Sequence, residues 1–387
     1  MKTLYAIALA VLLGSGGASS LRAQNATFDI TYSGFSPEAE AAFAYAADIW
    51  SSYLVSDVPI KVEAKMVFLL PGQLGITFPN GEINFADAPY TDVWYASCLA
   101  NAIAGEELNA GEADIDVFLN SSANWYFGTD GNPGPTEYDF VSTVLHELCH
   151  GLGFLSLANV IGSDGSFGMI YAESFAPLVT SFTWPALDTL PGAFDMWLLN
   201  GSGTELLSLE NPSAELALQF KSNNIFLESP LVLTAHDGEA GRIYAPSTFT
   251  LGSSLSHWNE TTYPVGDPNE FMTPFASDGN ANHTPGPLTL AVLDEIGWEI
   301  TYDTATAISL TNPMVLYAYP NPVSAQCRIR GVRDDEISAL YIYNAMGALV
   351  HSDAYTTEIA MQLFAPGMYS VVCTIRGTQY VLRISKI

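Results

Sequence analysis

Nine residues from His146 to Phe154, HELCHGLGF, constrain this chain more than any other stretch. On an α-helix of 3.6 residues per turn, His146 and His150 share one face and Glu147 flanks it. The preceding run, residues 138–145, has apolar side chains at helical spacing, which predicts that the helix begins well before His146. Neutral imidazoles are good zinc ligands, and Glu147 stands where a carboxylate can hold a metal-bound water. The stretch therefore predicts half of a zinc site.

Two glycines follow the second histidine and predict the end of this helix. Gly151 and Gly153 each cost about 1 kcal/mol relative to alanine in a helix, so a third ligand must come from elsewhere in the chain. The pattern HExxHxxG resembles that of the metzincin metallopeptidases, which continues to a third histidine and a later Met-turn. Here Ser156 stands where that histidine is expected, and serine is a poor zinc ligand.

His257 is the predicted third ligand. It stands in Ser-His-Trp-Asn-Glu, and Pro-Asn-Glu-Phe-Met-Thr-Pro follows at residues 268–274. This pairing resembles the leishmanolysin branch of the metzincins, where a long insertion precedes the late histidine. The resemblance implies that His257 is the third ligand and that Met272 is the Met-turn residue beneath the metal. His236 and His283, both in turn-like surroundings, remain open as ligands.

A different zinc arrangement is also possible from the sequence. In the gluzincin arrangement a glutamate on a later helix completes the site, and Glu173 lies at a plausible separation from His150. Gly153 and the Phe-Met-Thr-Pro turn favour the metzincin pattern instead.

The expected function is that of a zinc-dependent endopeptidase. Zinc lowers the pKa of bound water to about 7, and Glu147 would take the proton of this water and pass it to the departing amine. The alternative is a non-catalytic zinc-binding surface or adhesion protein on the same scaffold. Glu147 favours the enzyme, because a purely structural zinc site usually fills its fourth position with Cys or His.

The N-terminus and the charge indicate export. Lys2, an apolar run over residues 4–13 and small residues at 14–20 predict a signal peptide spanning residues 1–24. No later apolar segment reaches the length of about 20 residues that spans a bilayer. The formal net charge of −29 makes nucleic acid an unsuitable partner. An acidic surface is compatible with Ca²⁺ or cationic substrates, although a solvated surface without a specific partner is the simpler interpretation.

The chain divides into two structural regions, which together predict an α+β fold followed by a small all-β sandwich. Residues 25–301 are expected to form the catalytic domain, for which the metzincin resemblance implies a twisted mixed sheet with helices. Periodicity predicts strands at 27–32, 61–70 and 113–119, and helices at 37–53 and 287–298. Residues 155–255 are expected to be an insertion with its own small core, and 302–313 a linker.

The last region, residues 314–387, has short alternating strands that predict a β-sandwich. Its Tyr-Pro-Asn-Pro-Val opening at 319–323, Gly-Met-Tyr at 367–369 and final Leu-Arg-Ile-Ser-Lys resemble the C-terminal sorting domain of type IX secretion cargo in Gram-negative bacteria. The resemblance implies the type IX machinery as a partner and a secreted or cell-surface location. A carbohydrate-binding or adhesion sandwich is the alternative.

Four cysteines in an exported protein predict two disulfides, one in each region. The predicted pairs are Cys98 with Cys149 and Cys327 with Cys373.

Overall fold

The computed structural model describes residues 24–179, 188–302, 316–319, 321–330, 332, 337–354, 356–375 and 378–387. Apart from residue 24, the predicted signal peptide lies outside the described residues. The same holds for the predicted linker apart from residue 302.

Residues 24–151 build a four-stranded mixed sheet, helices that pack on it and shorter strand pairs. In chain order the elements are β1 (Phe28–Ser33), α1 (Pro37–Tyr53), β2 (Leu54–Val55), β3 (Ile60–Val67), β4 (Gly75–Pro79), β5 (Gly81–Ile83), β6 (Trp94–Ala96), α2 (Ser97–Ala104), β7 (Ile115–Asn120), β8 (Trp125–Tyr126), β9 (Tyr138–Asp139) and α3 (Phe140–Gly151). The strand order is β1-β3-β7-β4, in which β1, β3 and β7 are parallel and β4 is an antiparallel edge strand. Helix α3 packs against α1, β4 and β7.

Helix α3 begins and ends where its sequence provides caps. The carboxylate of Asp139 accepts a hydrogen bond from the backbone N–H of Ser142 at 2.7 Å, which satisfies one of the exposed donors at the helix start. The helix ends at Gly151, as predicted, and Gly153 follows with a φ of 109°, a value that favours glycine. A Cβ on Gly151 would overlap the side chain of Ile115 on β7, so this glycine also allows α3 to lie close to the sheet.

Residues 155–255 do not have a separate core, and this prediction was wrong. The segment contains β10 (Ala158–Ile161), β11 (Asp164–Phe167), β12 (Leu198–Asn200), α4 (Ala214–Gln219), β13 (Ile225–Leu227), α5 (Pro230–Ala235) and β14 (Gly241–Ile243). Most of its buried side chains belong to the same hydrophobic cluster as those of α1 and α3, and only Leu157 and Ile170 form a small cluster apart from it. Phe194 makes the connection, because the centroid of its ring lies 4.9 Å from that of Phe154, the last residue of the HELCHGLGF stretch.

The chain then closes the first region with α6 (Pro287–Ile296) and β15 (Glu299–Ile300), which pairs with β2. The predicted last helix is confirmed. Trp298 links this end to the HELCHGLGF stretch, because its indole N–H donates to the carbonyl oxygen of Leu152 at 2.8 Å.

The C-terminal region is rich in β-structure, as predicted. Its strands are β16 (Tyr317–Tyr319), β17 (Gln326–Arg330), β18 (Ile337–Asn344), β19 (Leu349–Asp353), β20 (Glu358–Ala360), β21 (Gly367–Ile375) and β22 (Thr378–Lys386). They form two antiparallel sheets, ordered β16-β17-β20 and β19-β18-β21-β22, that share one cluster of buried side chains.

The two predicted disulfides are not present, because all four cysteines are buried free thiols. Cys98 donates instead to the carbonyl oxygen of Gly151, with the sulfur 3.4 Å from it. Cys327 and Cys373 lie on strands of different sheets, β17 and β21. None of the described helices is long and apolar enough to cross a membrane.

Candidate metal centre

Three histidines meet at the C-terminal half of α3. The Nε2 atoms of His146 and His150 are 3.1 Å apart, and each lies 3.2 Å from Nε2 of His257, which follows β14 in the chain. Within the described residues, these three make up the one group of three or more His, Cys, Asp or Glu side chains suited to hold a metal ion. The structure thus brings together the three histidines predicted as ligands.

The other nitrogen of each ring is held by a backbone carbonyl group. Nδ1 of His146 lies 3.1 Å from the oxygen of Phe271, while Nδ1 of His150 and of His257 lie 2.8 Å from the oxygens of Phe154 and Ser253. A carbonyl oxygen only accepts, so each Nδ1 carries the ring proton and each neutral ring keeps an unprotonated Nε2. The three Nε2 lone pairs therefore converge without a proton between them, which is favourable only around a cation.

The spacing and the ligand type fit zinc. Zinc bound by imidazole nitrogens at about 2.0–2.1 Å in tetrahedral geometry places them roughly 3.3–3.4 Å apart, close to the observed separations. Three histidines are fewer than the four protein ligands that a structural zinc site usually has. The carbonyl groups that hold Nδ1 are the outer partners that usually orient such ligands.

Burial keeps the three imidazoles neutral, which is the form that binds metal. Removal from water lowers the pKa of His146 to about 4 and that of His257 to about 3. It also lowers the pKa of His150 well below its ordinary value, and the two neighbouring histidines add to this effect. At neutral pH the site thus presents three uncharged nitrogen donors.

Glu147 lies beside the histidines but outside their cluster. It is buried, and the hydroxyl of Thr77 on β4 donates a hydrogen bond of 2.7 Å to its Oε2. Burial raises the pKa of Glu147 to about 7, although the bond from Thr77 acts in the opposite direction. Thr77 was not among the residues predicted for the site, because the strand β4 that carries it was not predicted. If residues 75–77 had been predicted as a strand, side-chain alternation would have placed Gly75 and Thr77 on the same face.

The histidines and Glu147 open into a cleft of about 530 Å³. The cleft is lined by β4 and the loop before it, and by residues that belong to the segments 250–257 and 265–282. Among the described residues that line the cleft, the ionisable side chains apart from the histidines and a tyrosine are Asp139, Glu147 and Glu270, and none is a lysine or an arginine.

The other residues considered as metal ligands lie outside the histidine cluster. Glu173 is exposed on a 3-10 turn and does not belong to the histidine cluster, so the structure gives the gluzincin alternative no support. His283 contacts the carboxylate of Asp139 at 2.8 Å, and Nδ1 of His236 lies 3.2 Å from the carbonyl oxygen of Glu239. Neither histidine belongs to the cluster.

Met272, the predicted Met-turn residue, lies in a turn that contacts the histidine cluster. It is fully buried in the 3-10 turn Glu270–Met272, and its carbonyl oxygen accepts from the backbone N–H of Trp258 at 2.8 Å. The same turn provides the carbonyl oxygen of Phe271 to His146. This turn thus connects a histidine of α3 to the segment that carries His257.

Two families match separate parts of the chain. Residues 317–386 match the Secretion system C-terminal sorting domain, which confirms the predicted type IX sorting region. The protein is therefore a secreted or cell-surface protein of a Gram-negative bacterium. Residues 106–184, which include α3 but not His257, match a family described as SPBPB7E8-like.

The chain is also similar to a short part of a curated relative. An "Uncharacterized protein PB7E8.01" of Schizosaccharomyces pombe is 30% identical over 91 residues, which are 23% of this chain and 16% of that protein. The match thus spans less than a fifth of this relative. No solved structure matches the chain.

Proposed function

We propose that this chain is a secreted zinc-dependent endopeptidase of the metzincin type, with Glu147 as general base. The observation that carries the proposal is the convergence of three histidine Nε2 atoms beside a buried glutamate in a cleft. The order of His146, Glu147, His150 and Gly153, with a late turn at Met272, supports the metzincin type.

The histidines and Glu147 have different roles in the proposed reaction. His146, His150 and His257 would hold zinc, which when bound makes water a nucleophile near neutral pH and polarises a carbonyl group. Glu147 accepts the proton of the attacking water and delivers it to the departing amine nitrogen. A pKa near 7 suits this role, because the group must both take and return a proton. The cation would also favour the ionised form of Glu147.

The edge strand of the cleft supports a peptide as substrate. Asn120 N–H donates to Leu74 O, and Asn80 N–H donates to Asp114 O, so the even-numbered residues of this segment hydrogen-bond β7. Alternation along a strand then directs the backbone groups of Gly75 and Thr77 away from β7. An extended peptide would add there as a fifth strand and lie across the histidines.

A cleavage assay with matched zinc measurements tests the proposal. The purified protein should cleave casein, lose this activity with a chelator and regain it with zinc. Glu147→Gln should lower kcat by about 10²- to 10⁴-fold, because general base catalysis is lost while the ligands remain. Zinc content of the variant should equal that of the wild type. A wild-type protein that binds zinc but cleaves no protein or peptide would instead favour the non-catalytic surface protein.

A further inference from the structure

Strand β4 contacts the side chain of Glu147 at two positions. Thr77 donates its hydroxyl to Oε2 of Glu147 at 2.7 Å, and both residues are buried. Gly75, two residues earlier, lies on the same face of the strand because side chains alternate. These two positions form the surface of β4 against which the carboxylate lies.

Gly75 matters because it lacks a side chain, and not because its backbone conformation requires glycine. A Cβ added there would lie 2.7 Å from Cγ and from Cδ of Glu147, closer than side-chain atoms approach one another. The φ of Gly75 lies outside the left-handed region, so any residue tolerates its backbone conformation. The missing Cβ therefore leaves room for the glutamate.

We propose that Thr77 and Gly75 position the carboxylate of Glu147 for catalysis, with Thr77 as a hydrogen-bond donor and Gly75 as the space it occupies. The inference rests on the proposed role of Glu147 as base. A glutamate side chain on a helix has several staggered conformations, and only those that reach the scissile bond are productive. The bond from Thr77 selects one of them, and a misplacement of about 1 Å lowers a rate by as much as roughly 100-fold.

The test compares Thr77→Val, Thr77→Ser and Gly75→Ala with the wild-type protein. Valine keeps the shape of threonine but removes the donor, whereas serine keeps the donor. Thr31→Val is the matched control, because Thr31 is an exposed residue on β1 of the same sheet. For each variant we would measure zinc per chain, kcat and KM, and determine the conformation of Glu147 in a crystal structure.

Thr77→Val should lower kcat by roughly 10- to 100-fold, with KM changed less than about twofold and zinc content unchanged. Its crystal structure should show the carboxylate of Glu147 moved away from β4. Thr77→Ser should recover most of kcat, and Thr31→Val should equal the wild type. Gly75→Ala should displace the carboxylate and lower kcat without removing any polar group.

Four results would overturn the inference. If Thr77→Val keeps kcat within twofold of an active wild type, or if Thr77→Ser restores nothing, the hydroxyl does not position Glu147. If Thr77→Val does not fold, Gly75→Ala decides, because unchanged kcat and an unmoved carboxylate would contradict the inference. An inactive wild type that binds zinc would overturn the proposed function itself, and the inference with it.

Discussion

Removal of the third histidine provides the sharpest test of the metal centre. His257→Ala takes away one of three converging Nε2 atoms and leaves the pair on α3, which lies 107 residues or more before it in the chain. Mutation of an outer partner of a zinc ligand already weakens binding by about 10- to 100-fold. Loss of a ligand itself should therefore weaken zinc binding by at least about 100-fold.

The expected change in thermal stability follows from this factor. With free zinc at about 100 times its Kd, the wild-type protein gains about 2.7 kcal/mol. Since 1 kcal/mol moves Tm by roughly 2–4 °C in a domain of 150–250 residues, zinc should raise Tm by roughly 5–11 °C. At the same zinc concentration His257→Ala would be only about half saturated. Zinc would then stabilise this variant by about 0.4 kcal/mol and raise its Tm by roughly 1 °C.

Thermal unfolding of the metal-free and zinc-loaded forms measures both values, and calorimetric titration gives Kd directly. Glu173→Gln is the matched control, because Glu173 is exposed and lies outside the histidine cluster. This variant should behave as the wild type. A His257→Ala variant that keeps the full zinc-dependent rise in Tm, or a Glu173→Gln variant that loses it, would contradict the assignment of His257 as a ligand.

Two further predictions concern stability and export. Burial raises the pKa of Asp195 from 3.8 to about 6, so the folded state holds its proton more tightly than the unfolded state. The wild-type free energy of unfolding should thus fall, relative to that of Asp195→Asn, by up to about 3 kcal/mol as pH rises from about 4 to 6. Urea unfolding at pH 4 to 7 measures this, and a constant difference would contradict it. Deletion of residues 317–386 should leave the protein in the periplasm with its zinc content unchanged. Immunoblots of cell fractions and medium test this, and export of the shortened chain would argue against it.

Local periodicity was sufficient for the long elements of the first region. The helical spacing over residues 37–53 predicted α1 with the bounds that the structure has, Pro37–Tyr53. The glycines after His150 predicted the end of α3. Strand β4 was missed because it is only five residues long and lies between glycine and proline residues, so alternation gives a weak signal.

The insertion and the cysteines show where local patterns mislead. Apolar residues such as Phe194 and Leu198 predicted a separate core, but they are buried against the core of α1 and α3. Hydrophobicity indicates that a side chain is buried without indicating its partner. Likewise, an even number of cysteines predicted disulfides without information on whether the thiols face one another.

The sequence by itself determined the pair of histidines on α3 and the glutamate beside them, because residues within one helical turn have a geometry set by the backbone. It also determined the sorting region, whose motifs are local. Only the tertiary structure decided that His257 completes the cluster and that Thr77, 70 residues before Glu147, donates to its carboxylate. Contacts between distant segments depend on how sheet, helix and loops pack together, and no periodicity along the chain encodes them.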